Sequence, residues 1–182
     1  MTGPRPVAAV VLAAGEASRF GRPKQAILLP HVLGRLARAH LDDIVVVLGA
    51  YPVAVADVRT VTSTDWERGP GASLRAGLSA LDPEIEAAVV CLADGPLIAP
   101  EAIDRVVGAW LSGAGDVVAA SYGGDRGHPL VLGRSVWGSV PDDGGRSLTP
   151  VLVPCDDLGA PEDVDTEDDL RRVEARIAAK AN

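Results

Sequence analysis

Short apolar runs rich in β-branched residues recur at Val7 to Leu12, Ile44 to Leu48, Val58 to Thr62, Ala88 to Leu92 and Val117 to Ala120, each bounded by Gly, Pro, Asp or Ser. The stretches VVL, IVVVL and AVVCL are continuous rather than alternating, the pattern of strands covered on both faces of a largely parallel sheet. Between the runs the period lengthens to that of helices. Leu33, Leu36 and Ala37 fall on one face, Leu74, Leu78 and Leu81 follow at i, i+4 and i+7, and Ile103, Val106, Val107 and Trp110 at i, i+3, i+4 and i+7. Pro100 and Glu101 suit the first turn of the third helix, because proline loses no needed donor there and the acid complements the helix dipole. A last helix is predicted from Thr166, with Asp169 three residues on in a variant capping box, through Leu170, Val173 and Ile177. The alternation of strand and helix predicts right-handed βαβ crossovers. The fold class is α/β: a single domain over residues 1–182, built as a three-layer α/β/α sandwich with a mostly parallel, Rossmann-like sheet. Ligands of such folds bind beyond the carboxyl ends of the strands.

A length of 182 residues fits one domain at ~150 residues per domain, with enough chain to bury a core. The 20 glycines and 14 prolines stay below the level of low-complexity disorder. A net charge of −8 argues against nucleic acid or an anionic membrane as the main partner, since both select Lys and Arg. No apolar run approaches the ~18 residues of a membrane span, and the apolar start has no signal-peptide cleavage pattern. Cys91, in the apolar run AAVVCL, and Cys155, after a proline, offer neither a metal cluster nor a disulfide framework, so a reducing cytoplasm is the expected setting.

The charge is polarised along the chain. Residues 1–40 carry six Lys and Arg against the single acid Glu16, whereas residues 154–182 carry nine acids against four bases. Such halves suit either solvated surfaces or a polyphosphate and its divalent cation held between them. The first strand runs directly into AGEASRFGRPKQ, with Gly15, Arg19, Gly21, Pro23 and Lys24. A glycine-bearing turn after a parallel strand aims backbone N–H groups at phosphates, and the arginine and lysine add positive charge. Neither the Walker A pattern nor the G-x-G-x-x-G dinucleotide fingerprint can be read there.

LAAGEASRFGRPKQ (12–25) closely resembles the L-A-A-G-x-x-x-R-x-G-x-P-K signature of MobA-like nucleotidyltransferases, in particular the molybdenum cofactor cytidylyltransferase group. Later segments match in order: DWERGPGASLRAGL (65–78), CLADGPLIAPEAI (91–103), RGHPLVL (126–132) with PDDGGRSL (141–148), and DVDTEDDL (163–170). The resemblance covers nearly the whole chain and implies the nucleotide-diphospho-sugar transferase type of fold. It also implies transfer of CMP from CTP to a phosphorylated small acceptor, above all molybdopterin, with Mg²⁺ and release of pyrophosphate. A molybdoenzyme or its chaperone is the implied further partner.

The same resemblance assigns roles to residues. Arg19 would meet the leaving phosphates and Lys24 the α-phosphate, with Asp94 as the third catalytic residue. Leu12, Ala13, Ala14, Gly15, Gly71 and Ser73 would join them around the nucleotide. Asp94 would be the first metal ligand and Asp163 and Asp165 the candidates for the second, because hard Mg²⁺ takes one or two carboxylates plus phosphate oxygens and water. His128, donating a hydrogen bond, Pro129 and Arg146 would contact the acceptor; Arg146 would bind its phosphate or else hold a loop acid such as Asp142. The chain departs from the family pattern in having Ala17 for a common serine, Gly95 for a glutamine after the metal aspartate and Pro141 for a glycine, and the stretch from Pro23 to Asp42 is shorter. These changes bear on the acceptor side. Ala14 and Pro23 follow the cytidylyl branch, with a GTP-using transferase and a non-catalytic carrier of a nucleotide-bearing cofactor as alternatives.

Overall fold

The protein is described by a computed structural model covering residues 5–15 and 24–180. The elements run β1 (Val7–Ala13), α1 (Lys24–Leu36), β2 (Asp43–Leu48), β3 (Arg59–Thr62), α2 (Pro70–Ser79), β4 (Ala87–Leu92), α3 (Pro100–Leu111), β5 (Val117–Tyr122), β6 (Asp125–Gly133), β7 (Val151–Pro154) and α4 (Glu167–Lys180). The strands form one seven-stranded sheet in the order β3-β2-β1-β4-β6-β5-β7.

Strand β1 is buried on both faces, and its side chains divide between two cores as the two-residue period requires. Val7, Ala9 and Val11 face the layer of Leu29, Val32 and Leu36 of α1 and Ile103, Val106 and Trp110 of α3. Ala8 and Val10 face Leu74, Leu78 and Leu81 of and beyond α2. The three-layer sandwich expected from the apolar runs is therefore present. Helix α4 adds a third cluster, in which Leu170 and Val173 pack with Val164, Leu97 and Leu28 of α1. Its start carries the expected reciprocal cap: Thr166 N donates to Asp169 Oδ2 at 2.9 Å and Asp169 N to Thr166 Oγ1 at 3.1 Å.

Three details differ from the sequence expectation. Ala37 lies beyond α1 and is exposed, so the buried face of that helix is Leu28, Leu29, Val32 and Leu36. Strands β6 and β7 add to the five strands that the apolar runs predict. The proline and the polar start of DRGHPLVLG disguise β6 as a loop, and VLVP is a four-residue strand. Strand β6 runs antiparallel to both β4 and β5, so an antiparallel hairpin is inserted in the parallel sheet. The turn of that hairpin is Gly123-Gly124, with φ of 63° and 86°, a conformation in which glycine carries no side-chain penalty.

Candidate active site

Strands β2 and β3 extend the sheet to one side of β1, and β4 continues it on the other. The chain thus changes direction between β1 and β4, and a crevice opens where their carboxyl ends part. A cavity of about 550 Å³ occupies this place. Leu12, Ala13, Ala14 and Gly15 form its β1 wall, Leu92, Ala93 and Asp94 its β4 wall, and Gly69, Pro70 and Ser73 its α2 side. Ala93 N donates to Leu12 O at 3.0 Å, which carries the pairing with β1 one residue past the end of β4.

Lys24 is the first residue of α1 and only 9% exposed. Its Nζ donates to Asp94 Oδ2 at 3.1 Å, to Val164 O at 2.6 Å and to Asp165 Oδ1 at 3.2 Å. The 163–165 segment is tied in place by Val164 N donating to Asp94 O at 2.9 Å and by the buried Val164 side chain. A cationic residue from the start of the chain and carboxylates from its middle and end therefore meet, as the charge polarity suggested. Partial burial of the Asp163 carboxyl and then the like charges of Asp94 and Asp165 raise its pKa from the ordinary aspartate value, with Lys24 acting in the opposite sense. Among the described residues no three His, Cys, Asp or Glu side chains form a ready-made metal cage. The donor set nevertheless fits a hard divalent cation that takes one or two carboxylates here and its other ligands from phosphates and water.

Ser73 is the fourth residue of α2 and buried. Gly71 is placed differently from its neighbours: its N–H is committed to Asp142 O at 2.9 Å, and a Cβ there would lie 2.0 Å from Pro141 O. It serves close packing of the 141–142 loop. Asp142 itself is held by Arg75, whose guanidinium donates to Asp142 Oδ1 at 2.6 Å and to Val140 O at 2.8 Å. The loop acid thus has its own arginine, and the exposed Arg146 side chain lines the cleft with no ion pair among the described residues. Arg19, with Ala17 and Pro23, lies outside the described residues.

Two smaller cavities adjoin the cleft along β6, of about 360 and 250 Å³. Leu92 borders all three, Arg146 faces the main cleft and the smallest cavity, and His128 stands between the two smaller ones. His128 Nδ1 lies 3.2 Å from Val90 O, and burial lowers the pKa of the imidazole. A carbonyl only accepts, so Nδ1 carries the proton and Nε2 is left as an acceptor. In that tautomer the neutral ring offers an acceptor at Nε2, whereas the sequence expectation has His128 donating. Pro129 is buried in β6. Gly95 borders the 360 Å³ cavity without narrowing it, and a Cβ there would meet Pro161 Cβ at an ordinary 3.5 Å.

Several residues of the site were not singled out in the sequence. Gln25 Nε2 donates to Gly15 O at 2.7 Å, fixing the chain just beyond β1, while its buried Oε1 has no partner among the described residues. Trp66 and Glu67 line the main cleft. Arg126 donates to Gly145 O at 2.9 Å and Leu148 O at 2.8 Å, pinning the loop that carries Arg146. The signals that point to them are the end of the first motif for Gln25, the glycine-flanked loop of DWERGPG for Trp66 and Glu67, and the arginine of RGHP for Arg126.

Residues 9–152 match the MobA-like NTP transferase domain. The chain belongs to the MobA-like nucleotidyltransferase family. It is 29% identical over 199 aligned positions to nicotine blue oxidoreductase of Paenarthrobacter nicotinovorans, with 92% of this chain and 96% of that protein covered. It is 30% identical over 153 residues to the bifunctional protein GlmU of Sorangium cellulosum, covering 73% of this chain but 32% of GlmU, so the MobA-like chain spans about a third of that relative's length. Among solved structures, Rv0371c of Mycobacterium tuberculosis in complex with manganese superposes with a TM-score of 0.73 at 27% identity, covering 92% and 97% of the two chains. The shared architecture is the nucleotide-diphospho-sugar transferase fold. No helix among the described residues is long and apolar enough to cross a membrane.

Proposed function

We propose that this chain transfers CMP from CTP to a phosphorylated small acceptor, molybdopterin, in the cytoplasm, with Mg²⁺ as the divalent cation and pyrophosphate as the second product. The observation that carries this reading is the convergence of Lys24, Asp94 and Asp165 at the mouth of the β1/β4 crevice. An oxygen of the acceptor's phosphate attacks the α-phosphorus in line, the new P–O bond forms as the bond to the β-phosphate oxygen breaks, and pyrophosphate leaves. A phosphate nucleophile is already anionic, so the protein's task is positioning and charge neutralisation. The ends of β1 and α2 hold base and ribose, and Lys24 meets the α-phosphate. Arg146, bordering both the main cleft and a smaller cavity, meets the acceptor's phosphate where the two substrates join. The body of the acceptor extends along β6, where His128 Nε2 accepts a hydrogen bond from it. Asp94 with Asp163 or Asp165 would hold the divalent cation, which neutralises developing charge on the triphosphate when bound. Manganese in the Rv0371c structure supports a divalent-cation site in this fold. A molybdoenzyme or its chaperone would receive the product.

The test is a mass measurement of the product formed from purified molybdopterin with each of the four nucleoside triphosphates. A CMP adduct and pyrophosphate with CTP alone is the expected result; a GMP adduct would replace CTP by GTP. Absence of any adduct and any pyrophosphate would overturn the assignment and favour a carrier.

A further inference from the structure

The contacts of Lys24 carry a consequence for how the site is loaded. An ammonium group has three N–H donors. Lys24 Nζ has three partners, Asp94 Oδ2, Val164 O and Asp165 Oδ1, all within 3.2 Å, on a side chain only 11% exposed. None of its donors is left for a phosphate. To reach one, Lys24 must release a partner: giving up Val164 O leaves a buried carbonyl unpaired, and giving up Asp94, whose side chain is 30% exposed, leaves a part-buried carboxylate without its counter-ion. A divalent cation arriving alone faces the converse problem, because the carboxylates are already neutralised and a positive charge lies against their oxygens.

We propose that Lys24 stands in for the divalent cation between its carboxylates, so that cation and triphosphate load together. The inference rests on the assignment of Asp94 and Asp165 to the cation. When both ligands arrive, the cation takes the carboxylates and Lys24 turns to the phosphate, so each charge keeps a partner. Either ligand alone leaves one charge unmatched. The coupling is reciprocal by linkage: the cation tightens nucleotide binding by the same factor as the nucleotide tightens cation binding.

Manganese binding followed by electron paramagnetic resonance tests this without turnover, in the presence and absence of α,β-methylene CTP and of its GTP counterpart. In the wild-type protein Mn²⁺ alone should bind weakly and at least about tenfold tighter with the analogue, within the ordinary range of coupling between sites. Lys24→Met should bind Mn²⁺ alone about tenfold tighter than wild type, with a smaller further gain from the analogue, whose phosphates still coordinate the ion. Arg146→Met removes a cation that lines the same cleft but does not touch the acids, and should leave the affinity for Mn²⁺ alone within about twofold; an equal gain there would reduce the effect to general charge and overturn the proposal. Equal affinity for Mn²⁺ alone in wild type and Lys24→Met would also overturn it. Should Lys24→Met fail to fold, the wild type decides: Mn²⁺ bound as tightly without either analogue as with it refutes the stand-in. Absence of Mn²⁺ binding under every condition would instead bring down the metal assignment itself.

Discussion

Lys24 and His128 show how the same fold sets two basic side chains to different tasks. Lys24 is held between two carboxylates, and its contact should strengthen as negative charge develops around the α-phosphorus. Lys24→Met is therefore expected to lower kcat by about 10²–10³-fold, the usual effect of removing one preorganised charge-stabilising donor, with a smaller change in nucleotide KM; steady-state kinetics on the accepted nucleotide decides. His128 is kept neutral. Because burial depresses its folded-state pKa below the unfolded value of 6.5, the unfolded chain binds more protons in the window between the two. Stability should thus rise with pH through that window, and the contribution is lost as pH falls below 6.5 toward the folded pKa. Denaturant melts of wild type and His128→Gln between pH 5 and 8 should show a steeper acid loss in the wild type; parallel curves would refute the neutral assignment.

At the scale of elements, glycines in helices separate packing from propensity. Gly34 in α1 is exposed and a Cβ there meets nothing within 4 Å, so Gly34→Ala should stabilise the protein by about 0.5–1 kcal/mol through helix propensity and unfolded-state entropy. Gly71 in α2 makes the same nominal gain but places its Cβ against backbone atoms of Pro141 and Asp142. Gly71→Ala should destabilise by about 1–3 kcal/mol, as overpacking does, and raise nucleotide KM because Gly69, Pro70 and Ser73 on the same helix wall the cleft. Thermal melts and KM values of the two variants test the contrast. The sequence announces β1, β4 and α3 because continuous apolar runs and helical spacing record burial directly. It conceals β6, where a proline and a charged start interrupt the apolar pattern of a strand, and the motif that places Gly71 at the nucleotide does not record its close contact with a loop seventy positions on. Lys24, Asp94 and Asp165 were legible because their chemistry is local to motifs. Arg75 and Arg126 were not, since their partners are backbone carbonyls and a loop acid whose proximity only the tertiary fold creates.

At the scale of the whole molecule, the two ends of the chain are coupled through α4. Asp165 is held against Lys24 by Val164, and Val164 is buried with Leu170, Val173 and Leu28, the last on the same helix as Lys24. Packing at the back of α1 therefore positions charge at its front. Leu170 is 3% exposed, and Leu170→Ala removes a large part of this small cluster, at a cost of about 2–5 kcal/mol if the whole molecule unfolds together. The cluster is peripheral to the two sheet-facing cores, so the cheaper response is local release of α4 with the sheet intact. Hydrogen exchange should then quicken in residues 163–180 while β1 and β4 stay protected, and kcat should fall although Leu170 lies outside the cleft lining. Uniform acceleration of exchange across β1, β4 and α4, with kcat unchanged, would show instead that α4 is part of one cooperative unit and that its packing does not reach the site.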